Sequence, residues 1–300
     1  MAELFECIPN FSEGRNQEKI EKIVEPFKKT KGVKLLDYSA DKDHNRLVVT
    51  LLGGAEELKR SVHAAIGIAV DVIDMNQHEG EHPRMGAVDV VPFTPVKNVE
   101  IEDAVKLVNE VAKKAAEEYD LPIYLYEEAA STEQRKNLAD IRRGEYEGFA
   151  DKIKKDEWKP DYGPQAVHPT AGATVVGARM PLVAFNINLD TDDLEIANKI
   201  ARKVRHSSGG LRFVKAIGID LSERNIVQVS MNMTDYTQTS LYQAFEMVKF
   251  EAKRYGVNVI GSELIGLLPA QALFDVAEYY LGLEDFESEQ IMENRLLEDI

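Results

Sequence analysis

The run His78-Glu79-Gly80-Glu81-His82-Pro83-Arg84-Met85-Gly86 gathers two imidazoles, two carboxylates and a guanidinium in one short stretch. Imidazole titrates nearest neutral pH, so it can take one proton and return another. Neighbouring carboxylates can orient it, and a guanidinium can hold a carboxylate through two parallel hydrogen bonds. Gly80 costs helix stability, while Pro83 fixes φ and removes an amide donor. The segment therefore reads as a loop that aims its side chains. His78 and His82 have the i, i+4 spacing of helical zinc ligands, yet Gly80 between them and Pro83 after them remove the shared helical face that a metal needs. No metal is expected. His82 is the candidate acid/base, Arg84 a candidate carboxylate anchor, and His78 a support hydrogen-bonded within the loop.

Other nucleophiles and cradles are poor competitors. Cys7 is the sole cysteine and lies in an apolar run, where it reads as an inert buried thiol. No Gly-x-Ser-x-Gly elbow and no Gly-x-x-x-x-Gly-Lys loop occurs. Ser207-Ser208-Gly209-Gly210 fits a helix C-terminal turn as well as an anion-cradling one.

Composition narrows the class. With 300 residues and 44% hydrophobic content, two domains with buried cores are expected. A formal net charge of −16 repels nucleic acid and anionic lipid, so any anionic ligand must meet local positive charge. The single cysteine excludes an internal disulfide and a cysteine-rich metal site and fits a cytoplasmic protein. No targeting signal or membrane-length apolar stretch is present.

The elements that must position the His78–Gly86 loop follow from periodicity. Leu4 to Pro9 reads as a strand; Asn16 to Lys31 as a helix with Ile20, Ile23, Val24 and Phe27 on one face; Val33 to Ser39 and Arg46 to Leu52 as a hairpin. Ala55 to Met75 reads as a helix and Ala87 to Pro95 as a strand, so the first ninety-five residues run βαββαβ. A helix over Ile101–Tyr119 and a strand over Ile123–Tyr126 extend this half. Arg142 to Pro169 reads as a long ordered loop, with one helix near Phe149 to Glu157. Strands at Ala173–Ala178 and Leu182–Leu189, a helix at Thr191–Val204, strands at Phe213–Asp220 and Val227–Met233, a helix at Ser240–Tyr255 and a strand at Val257–Leu264 bring a similar order back. Ala270–Leu281 and the acidic tail from Glu284 to Ile300 read as terminal helices. The expected fold class is α+β, with two ferredoxin-like split-βαβ sandwich subdomains, 1–179 and 180–300, and a ligand site where their sheets approach.

Several longer motifs carry a family resemblance. Cys7-Ile8-Pro9-Asn10-Phe11-Ser12-Glu13-Gly14-Arg15, Ile73-Asp74-Met75 leading into His82-Pro83-Arg84-Met85-Gly86-Ala87-Val88-Asp89, Ala173 to Arg179, and Ala184-Phe185-Asn186-Ile187-Asn188-Leu189 resemble the glutamate formimidoyltransferase family along nearly the whole chain, in its form without a cyclodeaminase domain. The resemblance implies two α/β subdomains, commonly a homodimer through the second, and transfer of a formimino group from N-formimidoyl-L-glutamate to N5 of tetrahydrofolate in histidine breakdown. Tetrahydrofolate would be a co-substrate, and the partners would be small molecules.

On that resemblance His82 falls on the catalytic histidine, and Gly163, Pro164, Gln165, Ala166, Val167, His168, Pro169, Thr170, Ala171 and Gly172 fall on the folate-binding segment. Animal members carry aromatic residues where Val167, His168 and Ala171 stand. Arg46, Arg84, Arg179 and Lys215 are candidates to hold substrate carboxylates, each with a second reading as a solvated or salt-bridged surface group. Asp37, Asn45 and Asn188 are candidates to hydrogen-bond the amidine or pterin. Glutamate formyltransferase, related one-carbon folate chemistry and noncatalytic folate binding remain as alternatives on the same scaffold.

Overall fold

A computed structural model describes residues 3–297 and divides the chain between Arg179 and Met180 into two units. The first contains β1 (Leu4–Cys7), β2 (Asn10–Phe11), α1 (Gln17–Lys29), β3 (Val33–Asp41), β4 (Arg46–Gly53), α2 (Ala55–Val72), β5 (Val88–Lys97), α3 (Ile101–Tyr119), β6 (Ile123–Glu127), α4 (Leu138–Arg142), α5 (Glu145–Lys152) and β7 (Thr174–Ala178). These strands form a seven-stranded sheet in the order β1-β4-β2-β5-β7-β6, with β3 on the outer edge of β4. Pairing is antiparallel except that β7 lies parallel to both β5 and β6.

Alternation along the strands decides which side chains reach the site. In β4, Leu47, Val49 and Leu51 are fully buried in the core shared with Ile20, Ile23 and Phe27 of α1 and Leu58, Val62 and Ile66 of α2. The period of two sends Arg46 to the opposite face. A second apolar cluster, with Met85, Val90, Tyr124, Ile141, Phe149 and Trp158, packs α4 and α5 onto the β5–β7–β6 part of the sheet. Helix α1 starts where the Asn16 side chain accepts the backbone N–H groups of Glu18 and Lys19, satisfying two donors that the first turn leaves open.

The second unit contains β8 (Val183–Leu189), α6 (Leu194–Val204), β9 (Val214–Leu221), β10 (Ile226–Met233), α7 (Leu241–Lys253), β11 (Val259–Ile265), α8 (Ala270–Leu281) and α9 (Met292–Leu297). Its four strands form an antiparallel sheet in the order β11-β8-β10-β9. Ile187, Leu189, Val227 and Val229 bury against Ile200 and Val204 of α6 and Ala244 and Val248 of α7.

The structure departs from the sequence-based expectations at several boundaries, and α4 was not expected. The predicted Leu4–Pro9 strand ends at Cys7 as β1, and a separate short strand, β2, follows Ile8 and Pro9. Helix α2 stops at Val72 instead of Met75, because the Asp74 carboxylate accepts the Asn76 N–H and the Met75 N–H donates to the Thr170 carbonyl. The helix expected at 149–157 is α5, shifted to Glu145–Lys152; Gly144, with φ of 93°, turns the chain just before Glu145, and the Tyr146 N–H donates to the Arg84 carbonyl.

Gly86 joins the loop to the rest of the sheet. It bridges Gly172, and a Cβ at position 86 would lie 2.3 Å from the Ala173 carbonyl oxygen and 2.5 Å from that of Ala171. Backbone cannot yield as a flexible side chain does. Gly86→Ala is expected to destabilise the protein by about 1–3 kcal/mol, read as a lower urea midpoint; an unchanged midpoint would show that the close approach is relaxed at no cost.

Candidate active site

The loop from Asp74 to Gly86 is pinned on both sides. On one side, Asn76 Nδ2 donates to the Pro169 carbonyl, the Ala87 N–H to the Ala171 carbonyl, and the Ala173 N–H to the Met85 carbonyl. On the other, Asn45 Nδ2 donates to the Glu79 carbonyl and the Glu81 N–H to the Asp43 carbonyl. Gly80 lies so close to the β3–β4 turn that a Cβ there would sit 2.4 Å from the His44 carbonyl oxygen.

Arg84 locks this geometry. Its side chain is 9% exposed; Nε donates to His78 Nδ1 at 3.2 Å, one terminal nitrogen contacts Glu145 and Glu147, and the other reaches Glu147 Oε1 at 2.6 Å and the His78 carbonyl. Since Nδ1 of His78 accepts, its Nε2 carries the proton and donates to the Asn45 carbonyl at 3.0 Å. Burial holds the His78 pKa below its ordinary value, with the Asn45 carbonyl opposing. His78 thus supports the loop as a neutral ring.

His82 is left at the tip. It lines a narrow cleft with Phe11, Ser12, His44, Asn45, Arg46, His78, Arg84 and Asp89. Its ring meets His44 edge-on, with centroids 6.2 Å apart. Burial, followed by the charges of Arg46 and Arg142 and then His44, pushes the His82 pKa down to about 4. Both ring nitrogens therefore start without a net charge at neutral pH, which is the state a general base needs.

The positive field has a clear origin. Asp89, at the head of β5, has a side chain only 3% exposed, accepts the Met85 N–H at 2.9 Å and pairs with Arg142 of α4. Burial pushes its carboxyl up, and Arg142 and the Met85 amide pull it back. Arg46 makes no side-chain hydrogen bond or ion pair among the described residues, and its Nε is buried without a partner, as is Nε of Arg142.

The other predicted site residues fall as follows. Asn45 is spent on the backbone: Oδ1 accepts the Gly14 N–H and Nδ2 holds Glu79. Asp37 is exposed on the edge strand β3, opposite Thr50. Arg179 closes the first unit, with its N–H on the Phe93 carbonyl. Asn188 and Lys215 belong to the second unit; Asn188 bonds Gln228 and Glu263, and Lys215 is exposed on β9. In the segment 163–172, Gly163 to Ala166 are exposed, Val167 packs on the second cluster, and Ala171 is buried. His168 Nδ1 accepts the N–H groups of Thr170 and Ala171 and so shapes the turn that delivers Gly172 to Gly86.

Sequence reasoning missed His44, Asp89 and Arg142 as site residues. They come from the β3–β4 turn, β5 and α4, and no spacing rule links them. Among the described residues, no group of three or more His, Cys, Asp or Glu side chains is placed to hold a metal ion, and no helix is long and apolar enough to cross a membrane.

Comparison with known proteins gives this arrangement a family. Residues 4–179 match the formiminotransferase domain, N-terminal subdomain, and residues 184–297 match the formiminotransferase domain. The chain belongs to the formiminotransferase family of one-carbon transferases. It is similar to glutamate formimidoyltransferase of Streptococcus pyogenes serotype M1, 54% identical over 99% of this chain and 100% of that one. The glutamate formimidoyltransferase of Thermoplasma acidophilum is 44% identical over 98% of this chain and 97% of its own. The formimidoyltransferase-cyclodeaminase of Gallus gallus is 44% identical over 95% of this chain, which spans 53% of that protein.

Asp89 is the group whose loss the site should tolerate least. Asp89→Ala strands the Arg142 cation and the Met85 amide, and is expected to cost about 3–5 kcal/mol in urea unfolding of the full chain. Loss of under about 1 kcal/mol would mean that Arg142 finds another partner.

Proposed function

We propose that this chain is a glutamate formimidoyltransferase, moving the formimino group from N-formimidoyl-L-glutamate to N5 of tetrahydrofolate in histidine breakdown, with His82 as the proton carrier. The observation that carries this reading is the neutral, half-buried imidazole of His82, set at the tip of a loop that Arg84 and Asn45 hold rigid. N5 adds to the formimidoyl carbon and gives up its proton to His82. The tetrahedral adduct collapses as the carbon–nitrogen bond to glutamate breaks, and the proton on His82 passes to the departing nitrogen. The products are 5-formimidoyl-tetrahydrofolate and glutamate, and the histidine returns to its starting state.

A ring with so low a pKa is a strong acid once protonated, which suits the second half of the reaction. In this reading the segment Gly163–Gly172 binds folate. Its support is the pairing of Gly172 with Gly86 and of Thr170 with Met75, which fixes that backbone beside the histidine loop. Val167, His168 and Ala171 offer no large aromatic face, so recognition there falls to backbone and shape. The second unit serves for pairing with another copy, supported by exposed Leu273, Tyr279, Tyr280 and Leu281 on one helix, α8; the enzyme works on small molecules in the cytoplasm.

The test is purified full chain with tetrahydrofolate and either N-formimidoyl-L-glutamate or N-formyl-L-glutamate, following the folate product. His82→Ala is expected to bind folate normally and to lose ~10²–10⁴-fold in kcat. Full turnover in the variant would remove His82 from the mechanism; a product from the formyl donor alone would reassign the reaction, and saturable folate binding without product from either donor would make the protein a binder.

A further inference from the structure

A cation without a partner stands beside the proposed proton carrier. Arg46 leaves the core by the alternation of β4 and lines the same cleft as His82. It pairs in register with Asp41 across the hairpin, yet no ion pair forms between them, and Asp89 is committed to Arg142. Asp41 acts on Arg46 only through its charge, without an ion pair, and the other ionisable neighbours, His44 and His82, are not acidic. Of the two guanidiniums at the cleft only that of Arg142 bonds a carboxylate, and each has a buried, unpartnered Nε. Arg46 is half-buried, and a buried donor left in this state is costly unless a ligand completes it. Arg84 is not available for that task, because every arm of its guanidinium is already engaged.

We propose that Arg46, backed by the Asp89-anchored Arg142, forms the seat for the α-carboxylate of the donor amino acid. The assignment rests on the reaction proposed above and adds which carboxylate is read and by which residues. In an N-formimidoyl amino acid the α-carboxylate is joined to the leaving nitrogen through one carbon, whereas the γ-carboxylate lies beyond a flexible chain. Arg46 and His82 line one cleft, and of the two carboxylates the one next to the nitrogen has its position tied to that nitrogen when it meets Arg46. Seating it there orients the leaving group against the imidazole. It also places a negative charge where the field opposes protonation of His82.

Donor amides separate the two carboxylates. With wild type, Arg46→Gln and Arg46→Lys, the KM and kcat for N-formimidoyl-L-glutamate, its γ-amide and its α-amide are compared at saturating tetrahydrofolate. Arg46→Gln is expected to raise the KM for glutamate and γ-amide donors by about tenfold or more, with Arg46→Lys between it and wild type. The α-amide should react equally poorly with wild type and Arg46→Gln. An unchanged KM in Arg46→Gln, or equal sensitivity of the α-amide to that change, would overturn the seat. Should wild type transfer nothing, calorimetry decides: L-glutamate bound by wild type, more weakly by Arg46→Gln, and γ-aminobutyrate bound by neither would keep the seat and refute the reaction, whereas L-glutamate binding indifferent to Arg46→Gln would refute the seat.

Discussion

Asp89 accepts the Met85 amide and the Arg142 guanidinium at the head of β5, and through these two contacts it fixes the end of the histidine loop and helix α4 to the central sheet. A buried carboxylate is tolerated there because both partners repay part of its desolvation. The pair leaves a surplus: Asp89 bonds Arg142, and Arg46 adds a second positive charge that forms no ion pair among the described residues. The depressed basicity of His82 comes first from burial of the ring and then from that surplus of positive charge.

Rigidity in the loop has a separate source. Arg84 spends its guanidinium on His78, Glu145 and Glu147, so the first turn of α5 and the loop hold one another. The arginine of the loop is thus structural, and the guanidinium left without a bond at the cleft comes from β4. The division follows burial and pairing: a guanidinium with five contacts cannot also bind a ligand without breaking some of them, whereas Arg46 has none to break. An anionic substrate would reduce the field at His82 as it binds and raise the pKa of the ring, so that the base strengthens when the donor is in place.

Much of this was readable in the sequence. Gly80 and Pro83 between and beside the histidines argue for a loop, and the loop is there; the apolar periods of Ile20 to Phe27 and of Leu47 to Leu51 mark the faces that bury. The family resemblance holds over both subdomains. Arg142 and Asp89 were not readable as a pair because they lie 53 positions apart and meet only when α4 folds back on β5. The role of Arg84 was obscured in the same way, its carboxylate partners being 61 and 63 residues downstream. Local pattern finds the loop, and long-range charge pairing decides which of its side chains are already engaged.

The titration of the His82 ring, followed by NMR of histidine labelled at Cε1 and assigned with a His82→Gln variant, probes the charge balance of this cleft directly. With no ligand the ring should remain neutral at pH 5, with a midpoint near 4, and saturating L-glutamate should move that midpoint upward. A midpoint near the ordinary histidine value of about 6.5, unmoved by L-glutamate, would contradict a positively charged cleft that the donor carboxylate completes.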